Sequence, residues 1–391
     1  MSQYTGYPCV LSSISNPSIM KFTKLICGLS LILSSCSQHP DNLIRTIEAD
    51  INQVARLPLQ SLTDRIEFVR LETSKDFLIS SISKIVFHGQ RIYILDVQSQ
   101  KVFCFDRSGK GIFCINSKGK GPGEYVAVQD IAINNSNNTL ELLDRYNLHL
   151  LQYDLDGRFI KNQRLPLETS FFAVSNKGRY LLYNQFINQS LRPEYQHSLF
   201  FSTLKDTVFS GVLPFYHNCE RLTTHWPLSK CGDLITFYSG YLDTIYEFED
   251  ERINKYFVDF KNYGIPMNKL VKTLDLEAGN EITKLYNHIA VKSAFSDANR
   301  IYFEISKDGL KGLPSVLYNK RTQKSLVFYQ LEDNIDGLPS GDVEGFFEGS
   351  LIVIHEAIDL IKVPKIVSDT YGSLKGLNEN DNPVIGFYHL K

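Results

Sequence analysis

Tyr93-Ile94-Leu95-Asp96, Val102-Phe103-Cys104-Phe105-Asp106 and Gly109 recur as Glu141-Leu142-Leu143-Asp144, Leu150-Leu151-Gln152-Tyr153-Asp154 and Gly157, every position displaced by 48 residues. Self-similarity without gaps at such a period marks a repeat architecture. Each copy alternates short β-rich runs with turn residues. Asp106-Arg107-Ser108-Gly109 and Asp154-Leu155-Asp156-Gly157 close hairpins through a Gly suited to positive φ. The pattern predicts four-stranded antiparallel units of propeller-blade size, each sheet packing its faces against its neighbours around an axis.

Weaker copies follow at 171–174 with 179–183, 234–237 with 244–248, 300–305 with 315–318, and 345–355. The body, 66–391, is expected to hold six such units. Short helical insertions are expected at 265–288 and 364–379, where the apolar spacing is partly helical, ahead of a strand at 384–390. At 391 residues the chain exceeds what one ordinary core serves, and a closed ring accounts for that length without a linker. The 25 Phe and 21 Tyr against three Met and one Trp also favour β structure. The fold class expected is therefore all-β, a six-bladed β-propeller with four-stranded antiparallel blades. An open ring would leave edges exposed, so the early strand 66–71 is expected to close it beside strands from the C-terminal end.

Phe68-Val69-Arg70-Leu71-Glu72-Thr73, Gly119-Lys120-Gly121-Pro122-Gly123-Glu124-Tyr125, Asp243-Thr244-Ile245-Tyr246 and Asn382-Pro383-Val384 resemble the marker segments of Bacteroidales-type six-bladed β-propeller lipoproteins, which are NHL-repeat-like in shape. The resemblance spans the body. It implies fold and envelope location, and it brings no catalytic residues with it.

The N-terminus carries an address of its own. Lys21 and Lys24 precede an apolar run, 25–33, too short to span a bilayer but suited to a signal peptide. The run ends in Leu33-Ser34-Ser35-Cys36, which resembles a bacterial lipobox and implies lipidation of Cys36 after cleavage before it. Residues 1–35 are thus read as signal peptide, with 1–19 an extended gene start ahead of Met20. Residues 36–65 are read as lipidated N-terminus and tether. Cleavage and acylation would leave Cys104, Cys114, Cys219 and Cys231, an even number. The address expected is the outer membrane of a Gram-negative envelope, facing periplasm or exterior, with membrane attachment through the lipid alone.

With 41 Lys+Arg against 43 Asp+Glu, the net charge of -2 offers no general attraction to nucleic acid, which is not expected as a partner. The Gly119 to Gly123 loop lacks the spacing of a phosphate loop and reads as a turn between blades. Topology nevertheless places Lys118, Lys120, Tyr125 and Arg145 on connections of one face, a candidate ligand-binding rim for an anionic or sugar-like molecule. Asp96 and Asp144 sit at equivalent strand ends and read as acceptors for turn amides rather than as a cation ring. His355-Glu356-Ala357-Ile358-Asp359 stops short of a zinc-protease motif. His217, Cys219, His225 and Cys231 are spaced too irregularly to predict a metal site, so no metal and no cofactor are expected. Cys104 and Cys114 flank Gly109 symmetrically, so a cross-strand disulfide and two half-buried thiols stand equally open.

Three functions fit these residues. The first is a lipid-anchored binding or interaction module for a small molecule, glycan or envelope protein. The second is an enzyme, such as a metal-assisted lyase or hydrolase, using the axial channel. The third is a scaffold for an envelope complex.

Overall fold

A computed structural model describes residues 44–391 apart from 56–58, 185–196, 206–209, 215–225, 241–242, 251, 262, 265–288, 307–313 and 330–337. The lipobox Cys36, the residues His217, Cys219 and His225, and the insertion at 265–288 lie outside the described residues.

The chain enters through β1 (Ile44–Glu48), helix α1 (Leu59–Leu62) and β2 (Thr63–Arg70). Blade 1 is then built from β3 (Lys84–His88), β4 (Arg91–Asp96), β5 (Lys101–Asp106) and β6 (Gly111–Ile115). Blade 2 is β7 (Val128–Asn134), β8 (Thr139–Asp144), β9 (His149–Asp154) and β10 (Phe159–Arg164). Blade 3 is β11 (Phe171–Val174), β12 (Tyr180–Tyr183), β13 (His197–Ser202) and β14 (Ser210–Pro214). Blade 4 is β15 (Leu228–Cys231), β16 (Leu234–Tyr238), β17 (Thr244–Glu249) and β18 (Arg252–Asp259). Blade 5 is β19 (Ala290–Ser296), β20 (Arg300–Ser306), β21 (Ser315–Asn319) and β22 (Lys324–Phe328). Blade 6 takes β23 (Asp342–Phe347), β24 (Ser350–His355) and β25 (Val384–Leu390) from the end of the chain and β2 from its beginning. The protein is a six-bladed β-propeller.

Closure follows the expected route: β2 pairs antiparallel with β25, from Thr63 opposite Leu390 to Arg70 opposite Val384. One segment departs from the reading of 36–65 as tether. β1 lies parallel to β18, with Ile44 opposite Lys255 and Glu48 opposite Asp259, and so adds a fifth strand to blade 4. Ala55 then bridges to Phe328 on blade 5. The N-terminal segment thus runs as a belt over the outer edges of blades 4 and 5 before entering blade 6. Ile47 anchors it, fully buried in the cluster between blades 4 and 5. Its flanking charges hid this role in the sequence.

The core is divided among six apolar clusters, one at each interface between neighbouring blades. Blades therefore bury both faces, and a run such as Ile92-Tyr93-Ile94-Leu95 is apolar at every position rather than at alternate ones. Ile92 and Ile94 pack toward blade 6 while Tyr93 and Leu95 pack toward blade 2. The insertion between β24 and β25 is helical within 364–379 as expected, with α3 (Lys365–Thr370) and a 3-10 turn at Gly372–Leu374, and a further short helix, α2 (Ala357–Leu360), precedes it. Leu360, Val367 and Leu374 seal blade 6, and Tyr371 meets Phe68 edge to face at 5.0 Å.

The repeated hairpin turns carry the same bonds. Asp106 accepts from the amides of Ser108 (2.8 Å) and Lys110 (3.0 Å), and Asp154 from those of Asp156 (2.9 Å) and Arg158 (2.8 Å). Gly109 has a second duty. Its carbonyl receives the Glu72 amide at 2.7 Å, its φ is +87°, and a Cβ there would stand 2.0 Å from the Arg70 carbonyl oxygen. Gly109→Ala is therefore expected to cost about 2 kcal/mol or more in urea unfolding, from left-handed strain together with displacement of the closing strand. A loss under about 0.5 kcal/mol would show that the turn shifts freely.

The disulfide alternative between Cys104 and Cys114 is corrected. A bulge between Cys104 and Phe105 slips the register, so Cys104 faces Phe113 and Cys114 faces Phe103. A one-residue offset sends the two side chains to opposite sides of the sheet. Cys104 joins the cluster toward blade 2 and Cys114 the cluster toward blade 6, and both are free thiols, as is Cys231. Burial pushes Cys104 up to about 12 and Cys114 up to about 11, so neither forms a reactive thiolate readily.

Candidate functional site

The first strands of the six blades, β3, β7, β11, β15, β19 and β23, stand side by side around the axis, each touching the next and β23 touching β3. They enclose a channel of about 750 Å³ to which all six contribute lining. That volume falls in the range of small-molecule sites.

Three of these inner strands are irregular near their starts. The ladder shifts between Val128 and Asp130 in β7, between Val291 and Ser293 in β19, and between Val343 and Gly345 in β23. The residues left without a cross-strand partner are Gln129, Lys292 and Glu344. A bulge forfeits a regular pair and re-aims a side chain, and such irregularities gather at functional sites. Lys292 and Glu344 both line the channel.

Around them stands a polar mouth. Lys292 pairs with Glu304 at 2.7 Å, and Glu304 also accepts from the Tyr302 hydroxyl at 3.3 Å. Asp342 and Glu344, two apart on β23, line the same channel and have no ion pair or hydrogen bond among the described residues. Burial pushes the Glu344 carboxyl up to about 8, with the charges of Asp342 and Glu304 adding to it and Lys292 opposing. Tyr238 on β16 completes this mouth, its hydroxyl also raised by burial and by Glu344 and Glu304.

Elsewhere in the channel two lysines are tied into the structure. Lys84 on β3 pairs with Asp130 on β7 at 2.7 Å, and Asp130 accepts the Phe172 amide of β11 at 2.9 Å, so one carboxylate joins three blades. The Lys230 ammonium donates to the Val174 carbonyl at 2.7 Å, and burial pushes it down to about 8.

The rim expected from sequence is only partly assembled. Tyr125 is fully buried; its hydroxyl donates to the Gln100 carbonyl at 2.7 Å and receives the Ser117 amide at 3.2 Å. It holds the loop between blades and is withdrawn from ligand contact. Glu124 folds back to accept the Gly121 amide at 2.8 Å, over Gly119, where a Cβ would meet the carboxylate. Arg145 lies 3.9 Å from Glu168 on the following connection. Lys118 and Lys120 stay exposed. Asp96 and Asp144 cap turns as expected: Asp96 accepts from Ser80 and Ser99, and Asp144 from Val126 and Asn147. His355 is a core residue, 2.8 Å from the Tyr388 hydroxyl and edge-on to Phe68, with burial pushing its imidazole down to about 4.

Among the described residues no group of three His, Cys, Asp or Glu is placed to hold a metal ion, and no helix is long and apolar enough to cross a membrane. The channel mouth escaped the sequence reading because its sixth unit began at Gly345, just past Asp342 and Glu344. The signal was present in Asp342-Val343-Glu344, where two acids flank a buried Val with the period of a strand.

Comparison with known proteins places this architecture. A protein of Bacteroides fragilis described as exported has a similar solved structure, with a TM-score of 0.70 at 19% identity, covering 89% of this chain and 100% of that one. A DUF4221 family member from Bacteroides vulgatus follows with a TM-score of 0.49 at 12% identity, covering 84% and 97%. Virginiamycin B lyase from Staphylococcus aureus reaches a TM-score of 0.41 at 11% identity, covering 84% and 99%. No curated protein matches. At these identities the likeness concerns the fold. The family model of the domain of unknown function DUF4934 matches residues 44–389, from the first belt strand almost to the end of the closing strand, and the chain belongs to that family.

Proposed function

We propose that this protein is a lipid-anchored binding module of the cell envelope and that its ligand enters the axial channel. The observation that carries the reading is the channel itself: ligand-sized, framed by all six inner strands, and furnished at one mouth with carboxylates that have no ion pair among the described residues. A thermal-shift screen of the full chain against small amines, sugars, carboxylic acids and peptides is expected to find one class that raises the melting temperature. Asp342→Trp, which lays an indole across the mouth from an exposed position, is expected to erase that shift. A shift unchanged in Asp342→Trp, or none in any class, would overturn channel binding.

The envelope address rests on the lipobox at Cys36 and is in keeping with the exported description of the Bacteroides fragilis protein. Only 37–43 separate Cys36 from β1, a length that reaches about 25 Å when fully extended. The outer edge of blade 4 would then lie close to the bilayer. In a Gram-negative host, Cys36→Ala is expected to abolish palmitate incorporation and signal-peptide processing; labelling that persists would sink the anchor.

A further inference from the structure

We infer that the channel mouth selects an organic cation, a small amine with an apolar body, which would pair its ammonium with Glu344 and Asp342. The inference rests on the channel-binding reading above and names the ligand class for it. Lys292 is paired with Glu304, so among the described residues the three acids at the mouth, Glu304, Asp342 and Glu344, share a single cation. Glu344, half-buried, lines the channel and extends from a bulge that gives up its cross-strand partner. Nearby, the Ser293 hydroxyl is covered and has no hydrogen-bond partner among the described residues, although Ser293 lines the same channel. A half-buried carboxyl with no partner among the described residues is costly to ionise, and a cation in the cavity beside it would offset that cost.

The walls decide which cation. Phe295 and Phe347, both half-buried, line the channel and offer a surface that covers alkyl or aryl carbon. A calcium ion would require six or more oxygens, and among the described residues no three His, Cys, Asp or Glu side chains are grouped to hold a metal ion.

The charged and titratable groups facing Glu344 are Asp342 on its own strand, Lys292 on β19, Glu304 on β20 and Tyr238 on β16. Glu344 carries a proton at neutral pH, because burial and two like charges hold its carboxyl near 8. Binding an ammonium must release that proton. Affinity is therefore expected to rise with pH, by up to about tenfold per unit between about pH 6 and 8, and to level off above.

The test is isothermal titration of the full chain with putrescine and with phenethylamine, alongside n-butanol and butyrate as neutral and anionic counterparts. Expected are saturable binding of the amines only, proton release in buffers of different ionisation enthalpy, and a loss of at least about tenfold in Glu344→Gln. Glu344→Gln replaces a protonated carboxyl by a neutral amide of the same shape and should fold; Asp342→Asn, at an exposed position, provides a second variant. Amines that fail to bind, or that bind Glu344→Gln and Asp342→Asn as tightly as the parent, overturn the inference. Should a sugar or acid bind instead, with Asp342→Trp blocking it, channel binding stands and the cation falls; if nothing binds, both fall.

Discussion

A chain lacking 384–391 is expected not to form the ring. β25 is an interior strand of blade 6, flanked by β2 on one side and β24 on the other. Its removal takes away Val384, Ile385, Phe387 and Tyr388, all essentially buried, and strips both neighbours of their ladder. At roughly 1.5–3 kcal/mol for each large apolar side chain, the loss is about 6–12 kcal/mol before any hydrogen bond is considered. That equals most of an ordinary folding free energy. Ile385 and Phe387 also belong to the interface with blade 1, and Val384 and Tyr388 to that with blade 5, so two cluster boundaries fail together. Circular dichroism melting and limited proteolysis would read this directly. A cooperative melt within a few degrees of the full chain would contradict the closure described here.

Asn382→Leu is expected to be the most damaging single side-chain change outside the glycines. Asn382 is buried, accepts the Ile79 amide at 2.9 Å, and donates to the carbonyls of Glu72 and Phe77 at 2.7 and 2.6 Å. Its own amide donates to the Thr73 hydroxyl at 2.8 Å. One side chain thus organises the whole passage from β2 to blade 1. Leucine of similar size would leave three backbone groups without partners, at about 1–3 kcal/mol each, and a total loss of about 3–9 kcal/mol is expected. Urea unfolding at equilibrium, with an unchanged denaturant slope, is the measurement. A loss below about 1 kcal/mol would mean that water replaces the amide.

Two of the segments that carry the resemblance to known propeller lipoproteins turn out to be structural. Asn382-Pro383-Val384 is the latch just described, and Glu124-Tyr125 ties the connection between blades 1 and 2 to its own backbone. This explains why motif reading recovered the fold and not the site: the recognisable residues are those that turns and blade junctions require. The fold was legible because blades 1 and 2 keep Asp and Gly at matching turn positions, where side-chain acceptors and positive φ leave few substitutes. β1 was illegible because one buried Ile, Ile47, suffices to hold a strand whose other residues face solvent or its edge. The Cys104–Cys114 symmetry misled because the hairpin is not centred on Gly109: Phe105 faces Gly111 and, past a bulge invisible in spacing, Cys104 faces Phe113. Glu344 went unseen for a similar reason, since an acid in a strand reads as solvent-facing unless the strand is known to stand at an axis.

The belt has a consequence for the order in which the molecule is assembled. Ile44–Glu48 finds its partners in Lys255–Asp259, and Arg45 meets Tyr256 across 211 positions of chain. Contacts that distant form slowly, since the intervening loop must first be ordered. A chain that emerges from a ribosome or a translocation pore N-terminus first therefore presents its earliest strand long before anything exists for it to pair with. Blades 1 to 3, whose ladders are local, can form while that strand waits. The first part of the body to be delivered is among the last to be placed, and the nascent protein carries an unpaired edge through most of its own synthesis.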